Sequence, residues 1–452
     1  MTIIEFLQGN VQFFHEFFLK YNEFGRIFLN FMHAVFDNLF YFLLFITILV
    51  SALYYFMSFY TMIKRKKNNE VQNFSDKNLP LVTVQIPTYN EVVAIRCARK
   101  CLEFDYPKER YEILIGDDSN KFEVSEELIR FVNKASKEGH KNIRIIKRKN
   151  NVGFKPGNLN NMLNHSKGDI LVMFDSDFVP PQDFLKRIVQ PFADKDIAGV
   201  QARWEIVNPY ENMITTLGTT VLVVCHYVTI PFMKSKNDVS FLCGSAEAVR
   251  KSILLDMGKW EEGNRTEDIE FSLRLLKNGY KIEYLPDLKC GAEVPFTLKD
   301  LCKQQMGWAH GVIYSLKKHF RDIIKTNKIN LQEKIIGTIY CTGYLLSTLI
   351  AGLFITGALS LLTHEPAPVD FEKLFFETGR NILLTSGLIF GSFVALIRAN
   401  KTKISLKMIF ASFTYGLVVT YYVNKGIIQA LMNKPMTWFT PQKKGNQDKL
   451  LD

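Results

Sequence analysis

From Leu39 to Ile63 the chain runs for about 25 residues without a charged side chain, then meets Lys64-Arg65-Lys66-Lys67. As a helix this stretch is roughly 37 Å long at 1.5 Å per residue. That is enough to cross a hydrocarbon core of about 30 Å. Basic residues at its end predict that this end faces the cytosol. No small-residue cleavage site follows, so the stretch reads as an anchor rather than a removed signal peptide. A single soluble globule is therefore excluded.

Other apolar stretches extend the reading. Ile335–Leu362 and Asn381–Ile397 are predicted spans, joined by a loop from His364 to Arg380 whose acidic excess suits the outer side. Ile404–Met432 is interrupted by Lys407 and Asn424-Lys425 and followed by a basic tail, so it is predicted to be partly interfacial. Residues 1–37 are Phe-rich but broken by His15, Glu16, Lys20, Glu23 and Arg26, as in an interfacial amphipathic helix. Ile214–Met233 is uncharged but carries His226 and Pro231, and is predicted to lie on the membrane surface. The formal net charge of +11 belongs with this pattern. Lys and Arg gather beside apolar segments, and no zinc spacing or aromatic-basic motif accompanies them, so no nucleic-acid partner is expected. The seven Cys lack ligand-like spacing, which fits a reducing cytosol.

From Pro80 the pattern changes. Leu81–Pro87, Tyr111–Gly116, Asn142–Lys147 and Ile170–Phe174 read as strands. Glu91–Phe104, Val124–Lys137 and Gly157–Ser166 read as helices between them. Such alternation predicts a mostly parallel sheet covered on both faces. Ligands then bind beyond the carboxyl ends of the strands. Polar clusters fall there: Thr88-Tyr89-Asn90-Glu91, Asp117-Asp118 and Asp175-Ser176-Asp177.

Each motif has a chemical reading and a plainer one. In an extended chain Asp175 and Asp177 face the same way and suit a hard divalent cation such as Mg²⁺; otherwise they end a strand in a solvated turn. Lys155 precedes the helical Asn158, where a phosphate would be welcome. Thr88–Glu91 and Asp117-Asp118 are candidates for holding a nucleotide base. In Thr266-Glu267-Asp268, Asp268 is a candidate general base; the plain alternative is a helix start with Thr266 as its cap. Gln304-Gln305 precede Trp308, a ring that either stacks on a sugar or marks a membrane interface.

Together, from about Leu81 to Trp308, these residues resemble the processive, membrane-embedded members of glycosyltransferase family 2, such as cellulose and hyaluronan synthases. The resemblance implies a Rossmann-like α/β GT-A domain in the cytosol, with transmembrane and interfacial helices around it. It implies a UDP-sugar donor, Mg²⁺ or Mn²⁺ on Asp175 and Asp177, and inversion by Asp268 within Thr266-Glu267-Asp268. Donor contacts are implied for Thr88, Tyr89, Asn90, Glu91, Asp117, Asp118, Lys155, Asn158, Ser176, Gln304 and Gln305. Cys243-Gly244-Ser245 is similar to an acceptor-site motif of bacterial cellulose synthases, and Trp308 joins it. Trp438, Phe439, Thr440 and Lys443 look like a cytosolic gating loop.

The expected organisation is an interfacial segment at 1–37, a span at 38–63 and a basic linker at 64–79. A catalytic domain with interfacial helices follows at 80–330, then a membrane region at 331–432 and a gating-loop-like tail at 433–452. No regulatory domain is expected after Met432. The resemblance implies a multi-pass plasma-membrane protein polymerising UDP-glucose onto a growing β-glucan, cellulose-like, 1,3- or mixed-linkage, and extruding it through its own channel. Oligomerisation and accessory secretion proteins stay open. One departure stands out: Gly307 replaces the arginine of the family's Gln-x-x-Arg-Trp pattern. Two rival readings remain: a non-processive transferase making a glycolipid, and a transporter or receptor on a degenerate domain.

Overall fold

The computed structural model describes residues 23–63, 74–75, 78–364, 370–436, 439–443 and 445. The expected interfacial stretch up to residue 22, the basic run 64–67 and Trp438 lie outside them. The chain divides into two compact units, residues 1–62 with 344–393, and residues 63–343 with 394–452.

The larger unit holds a seven-stranded sheet in the order β3-β2-β1-β4-β6-β5-β7. Its strands are β1 (Val82–Thr88), β2 (Tyr111–Asp117), β3 (Ile143–Lys147), β4 (Ile170–Met173), β5 (Ile197–Ile206), β6 (Glu247–Arg250) and β7 (Lys281–Ala292). β1 to β4 pair in parallel, as does β5 with β7; β6 runs antiparallel between β4 and β5. β1 and β2 are buried along their whole length, as strands covered on both faces must be. Ile86, Ile113 and Ile115 are fully buried, each worth about 1.5–3 kcal/mol relative to exposure. Gln85, also fully buried in β1, donates Nε2 to Ser166 Oγ at 3.2 Å, while its Oε1 is buried without a hydrogen-bond partner among the described residues.

The helices crossing between the parallel strands are α2 (Ala94–Leu102), α3 (Phe122–Lys137) and α4 (Phe154–His165). They match the sequence reading within a few residues. A long helix after β5, α5 (Met213–Asn237), contains a π-helical turn at Cys225–Thr229. It is apolar enough to span a membrane, yet 72% of its apolar window is buried inside the molecule. Most of its uncharged surface is therefore packed against protein.

The unit continues with α6 (Glu267–Lys277), α7 (Leu298–Lys325) and α8 (Leu331–Cys341), and closes with a later helix, Ser405–Leu431. Ile214, Leu217, Leu301 and Ala411 form a small core joining α5, α7 and that last helix. At Gly426 the last helix packs directly on the Met306 carbonyl of α7, leaving no room for a side chain.

The smaller unit carries α1 (Glu23–Ile63) and the helices Leu345–Thr363 and Phe371–Thr385. The boundary expected at residue 38 falls inside one unbroken helix. The span predicted as Ile335–Leu362 is really two helices interrupted at 342–344. Asn381–Ile397, predicted as one span, is split at Ser386, and Phe371–Thr385 and Gly387–Arg398 meet at a 52° bend. Gly387 N–H donates to Ser51 Oγ at 2.7 Å there, and Tyr55 OH bonds Ser386 Oγ at 2.8 Å. Among the described residues four helices are long and apolar enough to cross a membrane. Excluding α5, their apolar windows are only 11–17% buried, as a lipid-facing surface would be.

Candidate functional site

The strand order sets the site out in a line. Beyond the carboxyl ends of β3, β2, β1 and β4 lie Arg148, Asp117-Asp118, Thr88–Glu91 and Asp175–Asp177 in that spatial order. Antiparallel β6 begins at this same end, because Glu247 pairs with Met173. Segment 243–247 therefore enters beside the Asp-Ser-Asp turn.

In the first cluster Asp117 is fully buried. It accepts Ser119 N–H at 2.9 Å and Ser125 Oγ at 2.6 Å. Asp118 is clasped by Arg148, with Nε on Oδ1 at 2.6 Å and Nη2 on Oδ2 at 2.5 Å. Burial pushes the Asp118 pKa above its ordinary value, against the pull of Arg148. Asn90, at φ 57°, uses its side chain to tie Asn120 and Lys121 N–H to the end of β1, and Tyr89 beside it is half-buried. Thr88 Oγ1 donates to the Glu91 carbonyl. Asn158 is buried beneath the cluster, with Nδ2 donating to the Gly116 carbonyl at 2.8 Å.

The second cluster corrects the geometry expected of Asp175 and Asp177. Residues 175–178 form a turn, closed by Phe178 N–H on the Asp175 carbonyl at 3.1 Å, so simple strand alternation does not apply. The two carboxylates take different cations. Asp175 Oδ1 meets Lys155 Nζ at 2.9 Å; Asp177 Oδ1 meets Lys443 Nζ at 2.7 Å. Asp177 also accepts Glu293 N–H at 3.2 Å and is almost wholly buried. Ser176 Oγ donates to Glu91 Oε2 at 2.7 Å. Burial lifts the Glu91 pKa to about 7, against the attraction of Lys443 and the Ser176 hydrogen bond; Asp177 and Asp175 add to the rise.

Lys155 joins this cluster to the third. Its Nζ also contacts Glu267 Oε1 at 3.0 Å and donates to the Gly244 carbonyl at 2.7 Å. Burial opposes its charge, yet Asp175 and Glu267 hold its pKa well above the ordinary value. Gly244 has φ 83°, and a Cβ there would lie 3.3 Å from Asp268 Oδ2 and 3.5 Å from Lys155 Nζ. Only glycine meets both demands. Asp268, in the first turn of α6, has its pKa raised to about 7 by burial and by Glu267, with Lys155 opposing. Glu247 accepts Cys243 N–H at 3.0 Å and Gly244 N–H at 2.7 Å, while burial and Asp268 push its pKa well up. Thr266 is the residue at the N-cap of α6, but its side chain makes no capping hydrogen bond. Its Oγ1 is buried without a hydrogen-bond partner and faces Gly311 of α7.

The expected acceptor residues gather nearby. Cys243 is half-buried, and Ser245 Oγ accepts Asp175 N–H at 2.8 Å. Gln304 is half-buried, Gln305 buried, and Trp308 packs partly against the sheet's core. From the tail, Phe439 lies under Lys303, whose Nζ is 4.2 Å from the ring centre, and Gln442 N–H reaches Asp300 at 3.4 Å. Thr440 is half-buried beside them in sequence.

Sequence reading missed Arg148, Glu247 and Glu293. Arg148 follows β3 in a basic run and becomes legible only once β3 is known to flank β2. Glu247 opens a four-residue strand with no periodicity of its own.

Among the described residues no three His, Cys, Asp or Glu side chains form a ready-made metal cage. Asp175 and Asp177 nevertheless suit a hard cation shared with a diphosphate. Both already balance an ammonium, and Glu91 Oε1 beside them is buried without a partner. The donor set therefore fits a divalent ion that replaces part of this positive charge.

Known proteins place this arrangement. A glucomannan 4-beta-mannosyltransferase of Arabidopsis thaliana is 34% identical over 264 residues, 56% of this chain and 47% of that protein. A second from the same plant is 28% identical over 378 residues, covering 75% and 69%. The chain spans about half to two thirds of the length of the first curated relatives it matches. A solved mannosyltransferase from Pyrobaculum calidifontis, in complex with GDP-Man and Mn²⁺, superposes with a TM-score of 0.60. It is 17% identical and is matched over 90% of this chain and 99% of its own, which supports the GT-A fold. The model of the glycosyl transferase family group 2 matches residues 170–423, from the strand before the Asp-Ser-Asp turn into the last helix, and the chain belongs to that family.

Proposed function

We propose that this chain is a membrane-anchored, inverting hexosyltransferase that extends a β-linked polysaccharide from a nucleotide-diphosphate sugar. The observation that carries the reading is the Lys155 hub. One ammonium ties the Asp-Ser-Asp turn to Glu267, one residue before Asp268, which brings a leaving-group region and a candidate base together. In this mechanism Asp268 takes the acceptor hydroxyl proton as that oxygen bonds to the anomeric carbon. The bond from that carbon to the phosphate oxygen breaks on the opposite face, and the nucleoside diphosphate leaves. A base with pKa near the working pH suits this task. Lys155 steadies the departing charge, and Trp308 with segment 243–245 orients the acceptor. A bound Mg²⁺ or Mn²⁺ on Asp175 and Asp177 would neutralise the diphosphate.

For the sugar, the relatives favour mannose, because those matched are named for 4-beta-mannosyl transfer. The solved neighbour binds GDP-Man. We therefore place a mannosyl donor first. UDP-glucose, the sequence expectation, follows as the second donor of a mixed glucomannan. The catalytic part would face the cytosol, with the product leaving across the plasma membrane. The test is to incubate the purified full chain in detergent with labelled GDP-mannose, UDP-glucose or both, then size the product and analyse its linkages. A long 1,4-linked product from GDP-mannose is expected. Short glycolipids only, or no transfer with either donor, would overturn the reading.

A further inference from the structure

Segment 242–245 lies between Asp268 and the Asp-Ser-Asp turn, yet it belongs to no helix or strand. Its buried backbone groups must then be met by other means. Side chains meet them. Leu242 N–H donates to Ser272 Oγ at 3.0 Å. Cys243 N–H is shared between Gln201 Oε1 at 2.7 Å and Glu247 Oε2 at 3.0 Å, and the same Glu247 oxygen takes Gly244 N–H at 2.7 Å. The Gly244 carbonyl accepts Lys155 Nζ at 2.7 Å. The Ser245 carbonyl accepts Trp204 Nε1 at 2.9 Å and Gln201 Nε2 at 3.0 Å. The segment is thus pinned from β5, α4 and α6, and by the first residue of β6.

β5 supplies two of these side chains through an irregularity. Gln201 and Trp204 are three residues apart, which strict alternation would put on opposite faces. The pairing with β7 breaks register between Ala202 and Arg203, and both side chains reach one carbonyl. The Trp204 ring is itself held, edge-on to Phe178 at 5.1 Å and stacked on His226 at 5.3 Å. Phe178 N–H closes the Asp-Ser-Asp turn, and Ser245 Oγ accepts Asp175 N–H from the same turn at 2.8 Å. Gln201, Trp204 and Glu247 are only 0%, 8% and 1% exposed, so their part is to hold and not to touch substrate. What they hold is close to the chemistry: a Cβ on Gly244 would lie 3.3 Å from Asp268 Oδ2. A displacement of about 1 Å between reacting groups can cost about 10²-fold in rate. Water is the competing acceptor, and it needs no wall to orient it.

We propose that Gln201, Trp204 and Glu247 are positioning residues that keep the enzyme a transferase and not a hydrolase: they pin segment 242–245 so that an acceptor hydroxyl, and not water, stands at Asp268. The inference rests on the proposed function, in which this segment orients the acceptor. It adds which residues outside the segment set its place, and what fails without them. In the failing reaction the oxygen of water bonds to the anomeric carbon and its proton goes to Asp268. The bond from that carbon to the phosphate oxygen breaks, and free sugar leaves with the nucleoside diphosphate.

The test incubates the purified full chain in detergent with Mn²⁺ and labelled GDP-mannose or labelled UDP-glucose, and divides the turned-over label between glycan and free sugar. Calorimetry on the same samples gives GDP and UDP affinity. Trp204→Phe keeps the ring and loses one N–H, so the ratio of transfer to hydrolysis should fall about 3- to 10-fold. Gln201→Met loses both the acceptor for Cys243 and the donor to Ser245, and should lower the ratio about 10- to 100-fold. Glu247→Ala strands the Gly244 N–H and should also lower it; Glu247→Gln, which keeps an oxygen for both N–H groups, should recover most of that loss. Nucleoside diphosphate affinity should stay within about 2-fold throughout, because the substitutions lie away from the donor. Size-exclusion chromatography checks that each variant folds; if Gln201→Met or Glu247→Ala does not, Trp204→Phe, the mildest change, carries the test. An unchanged ratio in Trp204→Phe, a folded Glu247→Gln no better than Glu247→Ala, or nucleotide affinity lost as steeply as transfer would overturn the proposal. If wild type transfers sugar from neither donor, it is the proposed function that fails.

Discussion

Lys155 and Lys443 both end on a carboxylate of the same Asp-Ser-Asp turn, but the chain holds them in opposite ways. Lys155 belongs to α4 and is braced by Asp175, Glu267 and the Gly244 carbonyl. Lys443 belongs to a short non-helical tail, and its ammonium contacts Asp177. Around it the tail is fastened by long hydrogen bonds, Gln442 N–H to Asp300 and Gly445 N–H to Glu293, each at 3.4 Å. One positive charge is built into a helix of the fold; the other is brought by a non-helical segment, seated by these two bonds and by the Phe439 ring under Lys303. Each stands beside a buried carboxyl with a pKa near 7, Asp268 for Lys155 and Glu91 for Lys443. Under the proposed function, the difference separates a permanent part of the reaction centre from an exchangeable one.

The largest effect should come from the permanent side. Asp268→Asn removes the proposed base but leaves Lys155 with Asp175 and Glu267. Turnover should fall about 10²- to 10⁴-fold. Nucleoside diphosphate binding, measured by calorimetry, should stay within a few-fold of wild type. In wild type, activity should rise with pH through about 7 as Asp268 loses its proton. Near-normal turnover in the variant, or a flat pH profile, would move the base elsewhere.

How much of this was legible in the sequence follows the same division. β1 to β4 and the helices between them were readable because each is a local pattern: apolar runs ending in polar clusters. The second half of the sheet was not. β5 carries Gln201, Arg203 and Glu205 among its apolar residues, and their partners lie far along the chain. Gln201 bonds the Cys243 and Ser245 backbone; Glu205 pairs with Tyr227, Lys289 and Lys401. The residue types of the site were visible, since Asp175, Asp177, Lys155 and Asp268 stand in local motifs. Their pairing was not, because the Lys443–Asp177 contact spans 266 positions. The packing of most of the apolar run of α5 inside the protein was not legible for a related reason: composition cannot tell a protein core from lipid.

An intermediate effect should appear on the exchangeable side. Glu91 ionises near 4.5 when unfolded and near 7 when folded. The folded chain therefore keeps a proton that the unfolded chain releases. The stability this gives is full below about pH 4.5 and is lost as pH rises through about 7. Glu91→Gln stays neutral throughout, so it should be the more stable protein at pH 8, by about 1–3 kcal/mol. Thermal unfolding in detergent at pH 5 and pH 8 measures this. Parallel declines in wild type and variant would mean that Glu91 does not carry the dependence.

The smallest effect tests the comparison most directly. A divalent ion and the Lys443 ammonium compete for the Asp177 carboxylate, so the tail taxes metal binding by the fraction of time it is seated. If it is seated about 70–90% of the time, removing it lowers the half-saturating Mn²⁺ concentration about 3- to 10-fold. That corresponds to about 0.7–1.4 kcal/mol, a size suited to a contact held by one ammonium and two long hydrogen bonds. Lys443→Ala should therefore reach half-maximal activity at lower Mn²⁺, with a similar rate at saturation, while Lys443→Arg should behave like wild type. Lys155→Ala should do the opposite and lose activity at every Mn²⁺ concentration, because its charge is part of the reaction centre. If Lys443→Ala needs as much Mn²⁺ as wild type and also loses rate at saturation, the two lysines are alike. The tail would then belong to the permanent site rather than to its gate.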